Sequence, residues 1–495
     1  MYFMSGQGNT YDVFLSILLR IFKLFIRRFS SGLRLLLRWK TVDKYDVLIV
    51  GLGPAGSSLA YLLSGKGLKV AGIDMVDWDN VWGKPCGDAI GEHHFDETGI
   101  PKPSGKELKQ RVNGILIYSP SEEHVFRVKG PGYIINRNEL GKRLIRDAIN
   151  KGVEVSLNTR ARKPILDNGR LVGVEAVDSN GREKTLYAKV IVDATGNTMS
   201  LRLRLPREWP VNEPLKPVDA NIAYREIREM KYEIEEPDYI RIYVNQDIAP
   251  GGYWWFFPEG VTSANIGLGV QGGRGYPNPL RIFKEKLEKR PEVGNYKKII
   301  NASGSLVPTR RPANTLVWDN FIGIGDNAFT VNPIHGGGMG YAMYAAYVAS
   351  KAIEEAFDKG DYSASGLWYA NIGYMRTLGA KQASLDIFRI FLQTISNEEI
   401  EFGLKNRIMR EEDMYETSVT GDLKADLSVL EKLSIVLKTL RRPSLLLKLR
   451  IVDRYMKDVK ELYKKYPDTP SGLREWISRV DSLYADYKKE LGVNW

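Results

Sequence analysis

The chain of 495 residues has one cysteine, Cys86, and only four histidines. One thiol excludes a disulfide framework, a cysteine-rich zinc site and a cysteine-ligated iron–sulfur cluster, each of which needs several. His93 and His94 are adjacent, but no further ligand follows at metal spacing, so no metal site is expected. No stretch reads as a transmembrane helix, because every long apolar segment is interrupted by charge. Internal repeats and low-complexity linkers are missing too, so the chain is not a repeat array.

What is present is an ordinary globular composition, 43% hydrophobic, in a chain long enough for two or more domains or for one large domain with an appendage. The near absence of cysteine points to the cytoplasm. The net charge of +11 is uneven: residues 1–44 hold eight Lys/Arg and two Asp, more than half of the surplus. In YDVFLSILLRIFKLFIRRFSSGLRLLLRWK, Arg20, Lys23, Arg27, Arg28, Arg34, Arg38 and Lys40 recur among Leu, Ile and Phe. Such a segment is expected to lie on anionic lipid headgroups with its apolar face inserted, which makes the protein peripheral to the membrane. A targeting peptide, or translation from an upstream start codon, are the competing readings of residues 1–43. Nucleic-acid binding is not expected, since the positive charge is concentrated in this lipid-facing pattern rather than interleaved with base-stacking aromatics.

The stretch YDVLIVGLGPAGSSLAYLLSGKGLKVAGID, Tyr45 to Asp74, is an apolar strand, a glycine turn, a helix and a second strand ending in an acid. Gly51, Gly53 and Gly56 form G-x-G-x-x-G, with Ala55 at the helix start. They allow the tight turn, the close approach of a pyrophosphate to backbone N–H groups, and close helix packing. Asp74 stands where an acid accepts hydrogen bonds from ribose hydroxyls. This unit predicts a dinucleotide site without saying which dinucleotide.

Further along, a helical pattern follows Arg137, and strand-like segments with turn signals lead to VDATG at Asp193–Gly196. Residues 219–273 alternate like antiparallel strands and contain GGYWWFFPEG, five aromatics in a row from Tyr253 to Phe257. Period two puts Tyr253, Trp255 and Phe257 on one face and Trp254 and Phe256 on the other. Both faces could be core, or one could wall an apolar ligand site. FIGIGDNAFTVNPIHGGGMGYAM, Phe321 to Met343, returns to an apolar strand and glycine-rich turn, and the pattern beyond Asp358 is helical. The expected α/β fold (α+β overall) has a Rossmann-like domain over 44–218 and 301–357, an inserted antiparallel sheet over 219–300, and a helical region over 358–495. His335 reads equally as a polar loop residue or a neighbour of the ligand. Arg310 and Arg311 could bind phosphate or a reductant protein, but an arginine pair reads more readily as a solvated face.

The order of the first glycine turn, Arg137, VDATG, Asp326 and Gly336-Gly337-Gly338 resembles the flavoproteins of the p-hydroxybenzoate hydroxylase type. The resemblance implies FAD, with Asp326 on the ribityl chain or its neighbouring ribose, Gly338 and Met339 at the flavin ring, and Arg137 and Ala161 along the cofactor. Within that superfamily the chain is similar to the archaeal digeranylgeranylglycerophospholipid reductases. Two stretches carry this: Lys84-Pro85-Cys86-Gly87-Asp88, and Tyr253-x-Trp255-x-Phe257-Pro258 followed after eight residues by Gly267-x-Gly269.

This likeness implies saturation of geranylgeranyl C=C bonds on ether lipid precursors by reduced FAD, with Cys86, Gly87 and Asp88 close to the flavin and Tyr253, Trp255 and Phe257 facing the prenyl chain. A thiol is mostly protonated at neutral pH, so Cys86 could donate a proton or simply contact flavin and substrate; Asp88 could instead cap the following turn. The electron donor is expected to be a ferredoxin-like protein or NAD(P)H. A flavin monooxygenase of the same fold and a non-enzymatic membrane-associated flavin or lipid carrier are the rival functions, because sites and not folds set activity.

Overall fold

The structure, a computed structural model, describes residues 42–408, 411 and 442–495. The basic segment of residues 1–41 therefore lies outside the described residues, and with it the expected interfacial helix. The first sheet is built on β1 (Val42–Val50), whose Val47, Leu48, Ile49 and Val50 are all buried. A strand buried on both faces has no need to alternate, which is why VLIV is continuous. β2 (Val70–Ile73) lies parallel to β1 on one side and β3 (Glu183–Asp193) on the other. Phe321–Gly323 extends the sheet beside β3, and Glu154–Ser156 extends it beside β2, both parallel. Helix α1 (Pro54–Leu63) crosses from β1 to β2. Here lies the Rossmann-like half of the α/β fold.

The second sheet has eight strands in the order Tyr296–Pro308, Ala220–Met230, Ser263–Gln271, Tyr253–Pro258, Tyr239–Tyr243, Leu108–Tyr118, Val125–Ile135 and Ala89–Gly91. The sequence pattern put this sheet within 219–300, whereas three of its strands precede residue 219. Tyr239–Tyr243 pairs parallel with Leu108–Tyr118, and that seam joins the two groups of strands. Alternation along one strand tells which side is buried and nothing about which distant strand is its neighbour.

The aromatic strand, β4 (Tyr253–Pro258), is central, between β5 (Ser263–Gln271) and Tyr239–Tyr243. Trp254 and Phe256 are fully buried on one face among Met230, Ile266, Leu268 and Phe283. Trp254 stacks on Tyr243 with ring centroids 3.6 Å apart. Burying one such ring stabilises the fold by about 1.5–3 kcal/mol, so this face is core. Tyr253, Trp255 and Phe257 form a separate cluster on the opposite face, with Val112, Ile134 and Ile240.

Four more helices position the site. α2 (His93–Thr98) follows the Cys86 turn, and α3 (Arg137–Asn150) packs against α1. α4 (Met339–Lys359) starts at the second glycine run and also packs against α1. α5 (Ala380–Leu392) lies under the long helix Pro443–Lys464 and closes the remaining side.

Candidate functional site

The three glycines of the first turn do three different things. Gly51 has φ +95°, and a Cβ there would lie 2.5 Å from the carbonyl oxygen of Ala194 at the end of β3. A Cβ on Gly56 would run into the carbonyl of Gly51, so its smallness seats α1 on the turn. Gly53 is different: a Cβ there would meet nothing within 4 Å. Its open side faces a cavity of about 1390 Å³. Pro54 opens α1 with no N–H to satisfy. The positive end of the helix dipole and the free first-turn N–H groups therefore point into that space, as an anionic pyrophosphate requires.

Asp74 closes β2. Its Oδ2 accepts the Leu52 N–H at 2.6 Å and its Oδ1 the Val76 N–H at 3.1 Å. These bonds hold the carboxylate at the rim of the same cavity, each oxygen keeping a lone pair. Arg137 is the first residue of α3, whose N-cap Asn136 accepts from the Glu139 N–H. The Arg137 guanidinium donates to the Lys84 carbonyl, and its Nε lies 3.9 Å from Asp88 Oδ1. That Nε is buried without a hydrogen-bond partner. Asp326, in the short turn after Phe321–Gly323, is ion-paired with Lys84, a contact that joins two loops 242 positions apart. Every expected cofactor residue except Gly56 lines the cavity, Ala161, Gly338 and Met339 included.

The two specific stretches of sequence meet. Phe257 packs on the Cys86 turn so closely that a Cβ on Gly87 would lie 2.8 Å from its ring. β4 pairs with β5 so that Tyr253 stands opposite Gly269 and Trp255 opposite Gly267. A Cβ on Gly267 would strike the indole of Trp255, so that glycine makes room for the ring across the ladder, whereas a Cβ on Gly269 would meet only Asn221 at 3.9 Å. Tyr253 fixes its own end by donating its hydroxyl to the His335 carbonyl at 2.6 Å.

Asn265 ties the pieces together and was not foreseen from the sequence. Fully buried on β5, it accepts the Trp255 indole N–H at 3.1 Å and donates to the Cys86 carbonyl at 2.8 Å. Its amide also reaches Asp88 Oδ2 at 3.4 Å. Asp88, in the left-handed region at φ +61°, turns its carboxyl inward to Asn265 and Arg137, so it does not cap the next turn. Burial pushes Asp88 up against the opposing pull of Arg137, Lys109 and Arg225. Burial likewise raises Glu259, although Lys109 is 2.8 Å away. The thiol turn thus rests on a buried cluster in which carboxyls are held toward their protonated forms.

Two other expectations change. Arg310 and Arg311 are buried rather than solvated: Arg310 pairs with Glu213 at 2.7 Å, and Arg311 donates to Asn314 at 2.7 Å. Arg311 also reaches Asp481 at 3.3 Å in the C-terminal helix Leu473–Leu491, so the pair ties Glu213 to the C-terminal helices. His93, His94 and Glu97 bring three potential ligand atoms within 4.8 Å of one another. Glu97 is one helical turn from His93, and the neighbouring Lys381 disfavours a cation there.

The cavity fits FAD. An open pyrophosphate cradle at Gly53, a carboxylate at Asp74 and a glycine turn at Gly336–Gly338 line it in succession, and an orphaned guanidinium N–H reaches into its wall. Beyond the Cys86 turn the lining becomes apolar, with Ile115, Ile117, Ile240 and Ile242 from the sheet facing Leu385, Phe388 and Leu392 from α5. Sequence signals for the missed residues were weak but real. Asn265 is an amide in the otherwise apolar run Ala264–Val270, and Lys84 precedes the thiol in its motif.

Residues 219–307 match the geranylgeranyl reductase catalytic domain family and residues 44–252 match an FAD binding domain family. The chain is 48% identical over 449 residues to the digeranylgeranylglycerophospholipid reductase of Sulfolobus acidocaldarius, covering 90% of this chain and 99% of that protein. It is 31% identical over 365 residues to digeranylgeranylglycerophospholipid reductase 2 of Methanopyrus kandleri, covering 72% and 89%. Among solved structures, a geranylgeranyl bacteriochlorophyll reductase-like protein from Thermoplasma acidophilum superposes with a TM-score of 0.70 at 23% identity, covering 83% of this chain and 100% of that one. The flavin-dependent brominase Bmp2, as a triple mutant, gives 0.59 at 18% identity, over 88% and 100%. These two likenesses are of fold.

Proposed function

The chain belongs to the digeranylgeranylglycerophospholipid reductase family of FAD-dependent oxidoreductases, and from that premise we propose that it saturates geranylgeranyl C=C bonds of ether lipid precursors where the Cys86 turn meets Tyr253, Trp255 and Phe257. FAD, once reduced, supplies the hydride for this chemistry. The observation that carries the reading is one cavity that changes along its length from a dinucleotide cradle at Gly53 to an apolar slot along α5, with Cys86 and Trp255 between.

An isolated trisubstituted alkene is poorly electrophilic, so a proton has to reach one carbon as hydride reaches the other. Cys86 is our candidate to hold that proton at Sγ, with Asn265 fixing its backbone from behind. Trp255 and Phe257 orient the chain and keep water from the reacting carbons. Gly51, Gly53, Ala55 and Asp74 would hold the adenosine diphosphate end, and Arg137, Asp326, Gly338 and Met339 would hold the flavin end.

The described chain has a single dinucleotide turn, which supports electron supply by a separate protein or by a transiently bound nicotinamide. No helix among the described residues is long and apolar enough to cross a membrane. The lipid substrate and the basic segment before residue 44 support peripheral contact with a bilayer. The test is anaerobic incubation of the chemically reduced protein with digeranylgeranylglyceryl phosphate, followed by mass spectrometry. A gain of two hydrogens per double bond is expected. Incorporation of oxygen in air, with no hydrogen gain anaerobically, would make the protein a monooxygenase.

A further inference from the structure

Along α5 the residues that line the cavity are Lys381, Leu385, Phe388, Arg389, Phe391 and Leu392, spread over three turns. The eleven steps from Lys381 to Leu392 span ~16 Å at the helical rise. Leu385, Phe388, Phe391 and Leu392 are apolar and Arg389 is paired with Asp386 at 2.7 Å and Asp219 at 3.4 Å, so the charge left open on this helix is Lys381, at the end beside the Gly336–Gly338 turn. At that end Lys381 sits over the ring of Tyr341, 5.7 Å from its centroid, and its ammonium has neither a hydrogen-bond acceptor nor an ion-pair partner among the described residues. Burial lowers it to about 8, so it is charged for most of the time at neutral pH.

Its surroundings supply several donors and one carboxylate, Glu97, whose charge only partly opposes the effect of burial on Lys381. Glu97 is the nearby acid, and it is engaged with His94, 3.5 Å away. His93 is pushed down to about 4 by burial and by His94, and is therefore a neutral imidazole. His335 exposes its ring to the cavity, and its Nδ1 accepts the Gly337 N–H at 3.1 Å, which leaves its own N–H on Nε2 as a donor. An unpaired buried cation costs free energy unless an anion arrives. A slot that is apolar along its length and cationic at one end matches an amphiphile with an anionic head.

We propose that Lys381, with His93 and His335, receives the phosphate of the prenyl glycerolipid while the isoprenoid chain lies along Leu385, Phe388 and Leu392. This rests on the reductase reading above and assigns the head of that same substrate. The shared chemistry is a phosphate monoester, whether on the lipid or free.

The experiment measures Kd by quenching of intrinsic fluorescence in the oxidised, FAD-bound protein, so that it does not depend on turnover. The probes are digeranylgeranylglyceryl phosphate, the unphosphorylated digeranylgeranylglycerol and inorganic phosphate. Lys381→Met is expected to weaken binding of the phosphorylated lipid by about tenfold, the scale of one charge-assisted contact. Binding of the alcohol should move less than about twofold, and Lys381→Arg should restore most of the loss. Bound FAD and melting temperature should match the parent protein. Equal weakening of both lipids, or no weakening of either, overturns the assignment. Inorganic phosphate binding as tightly as the phosphorylated lipid would give the site to free phosphate, and a shifted flavin reduction potential in Lys381→Met with unchanged lipid Kd would give it to the cofactor. Failure of the parent protein to hydrogenate either lipid would sink the reductase reading and leave these binding results standing.

Discussion

Replacing Asn265 by alanine tests how the site is held together. The side chain is fully buried and makes two good hydrogen bonds, from the Trp255 indole at 3.1 Å and to the Cys86 carbonyl at 2.8 Å, with a longer contact to Asp88 at 3.4 Å. Alanine leaves an indole N–H without its acceptor in a buried environment, and a buried unsatisfied donor costs ~1–3 kcal/mol. Cys86 is half-buried, so water from the cavity can meet its carbonyl and that loss is smaller. The sum is about 2–4 kcal/mol, which should appear in urea unfolding as a lower midpoint at unchanged slope. The catalytic effect should be larger than the residual stability implies, because the thiol turn and the aromatic wall lose their common bracket. Asn265→Asp separates the parts. It keeps an acceptor for Trp255 but loses the donor to Cys86 and adds a carboxyl beside Asp88, so it should lose turnover while retaining part of the indole bond. A shift below about 1 kcal/mol in Asn265→Ala, with parent-like alkene reduction, would refute the bracket.

Gly53→Ala and Gly56→Ala should differ sharply: the first folds normally and loses bound flavin per protein, since its Cβ meets only the cavity, while the second loses soluble folded protein. Gly267→Ala should lower the melting temperature and abolish turnover, because Trp255 has to leave its place against β5; overpacking of this kind costs about 1–3 kcal/mol. Cys86→Ala should keep FAD and fold yet lose most alkene reduction, and unchanged turnover would remove the thiol from the mechanism. Glu259 has its folded-state pKa raised by burial, so its penalty is absent below its ordinary value of 4.5 and grows as pH rises through the folded value. Glu259→Gln should therefore gain stability relative to the parent between pH 4 and pH 7, read from paired urea midpoints; a difference that stays constant or falls over that range would contradict the burial argument.

Much of the nucleotide half was legible because its signals are local. A glycine turn after an apolar strand and an acid at the end of the next strand are set by backbone geometry within some thirty residues. The wall was legible for a similar reason, since period two divides five consecutive rings into two sets whatever the sheet does with them. The second sheet was less so. Its three strands before residue 219 are joined to the rest through the parallel seam at Tyr239–Tyr243, and pairing over such distances leaves no local trace. Arg310 and Arg311 were misread because a charged pair looks solvated until Glu213 and Asn314 are brought to it from elsewhere.

By itself, then, the sequence determined the dinucleotide turn, the acid at the end of the next strand, and the partition of Tyr253–Phe257 into two faces. All of these follow from dihedral freedom and side-chain direction along a short run. Tertiary structure showed which of the two faces borders the cavity: core from Met230 to Phe283 fills one side, and Tyr253, Trp255 and Phe257 line the cavity on the other. It alone brought Asn265 to Cys86 across 179 positions, paired Lys84 with Asp326, and set Lys381 over the Tyr341 ring at one end of the slot along α5. A hydrogen bond or an empty space between distant segments depends on how whole elements pack, and no short stretch of chain carries that information.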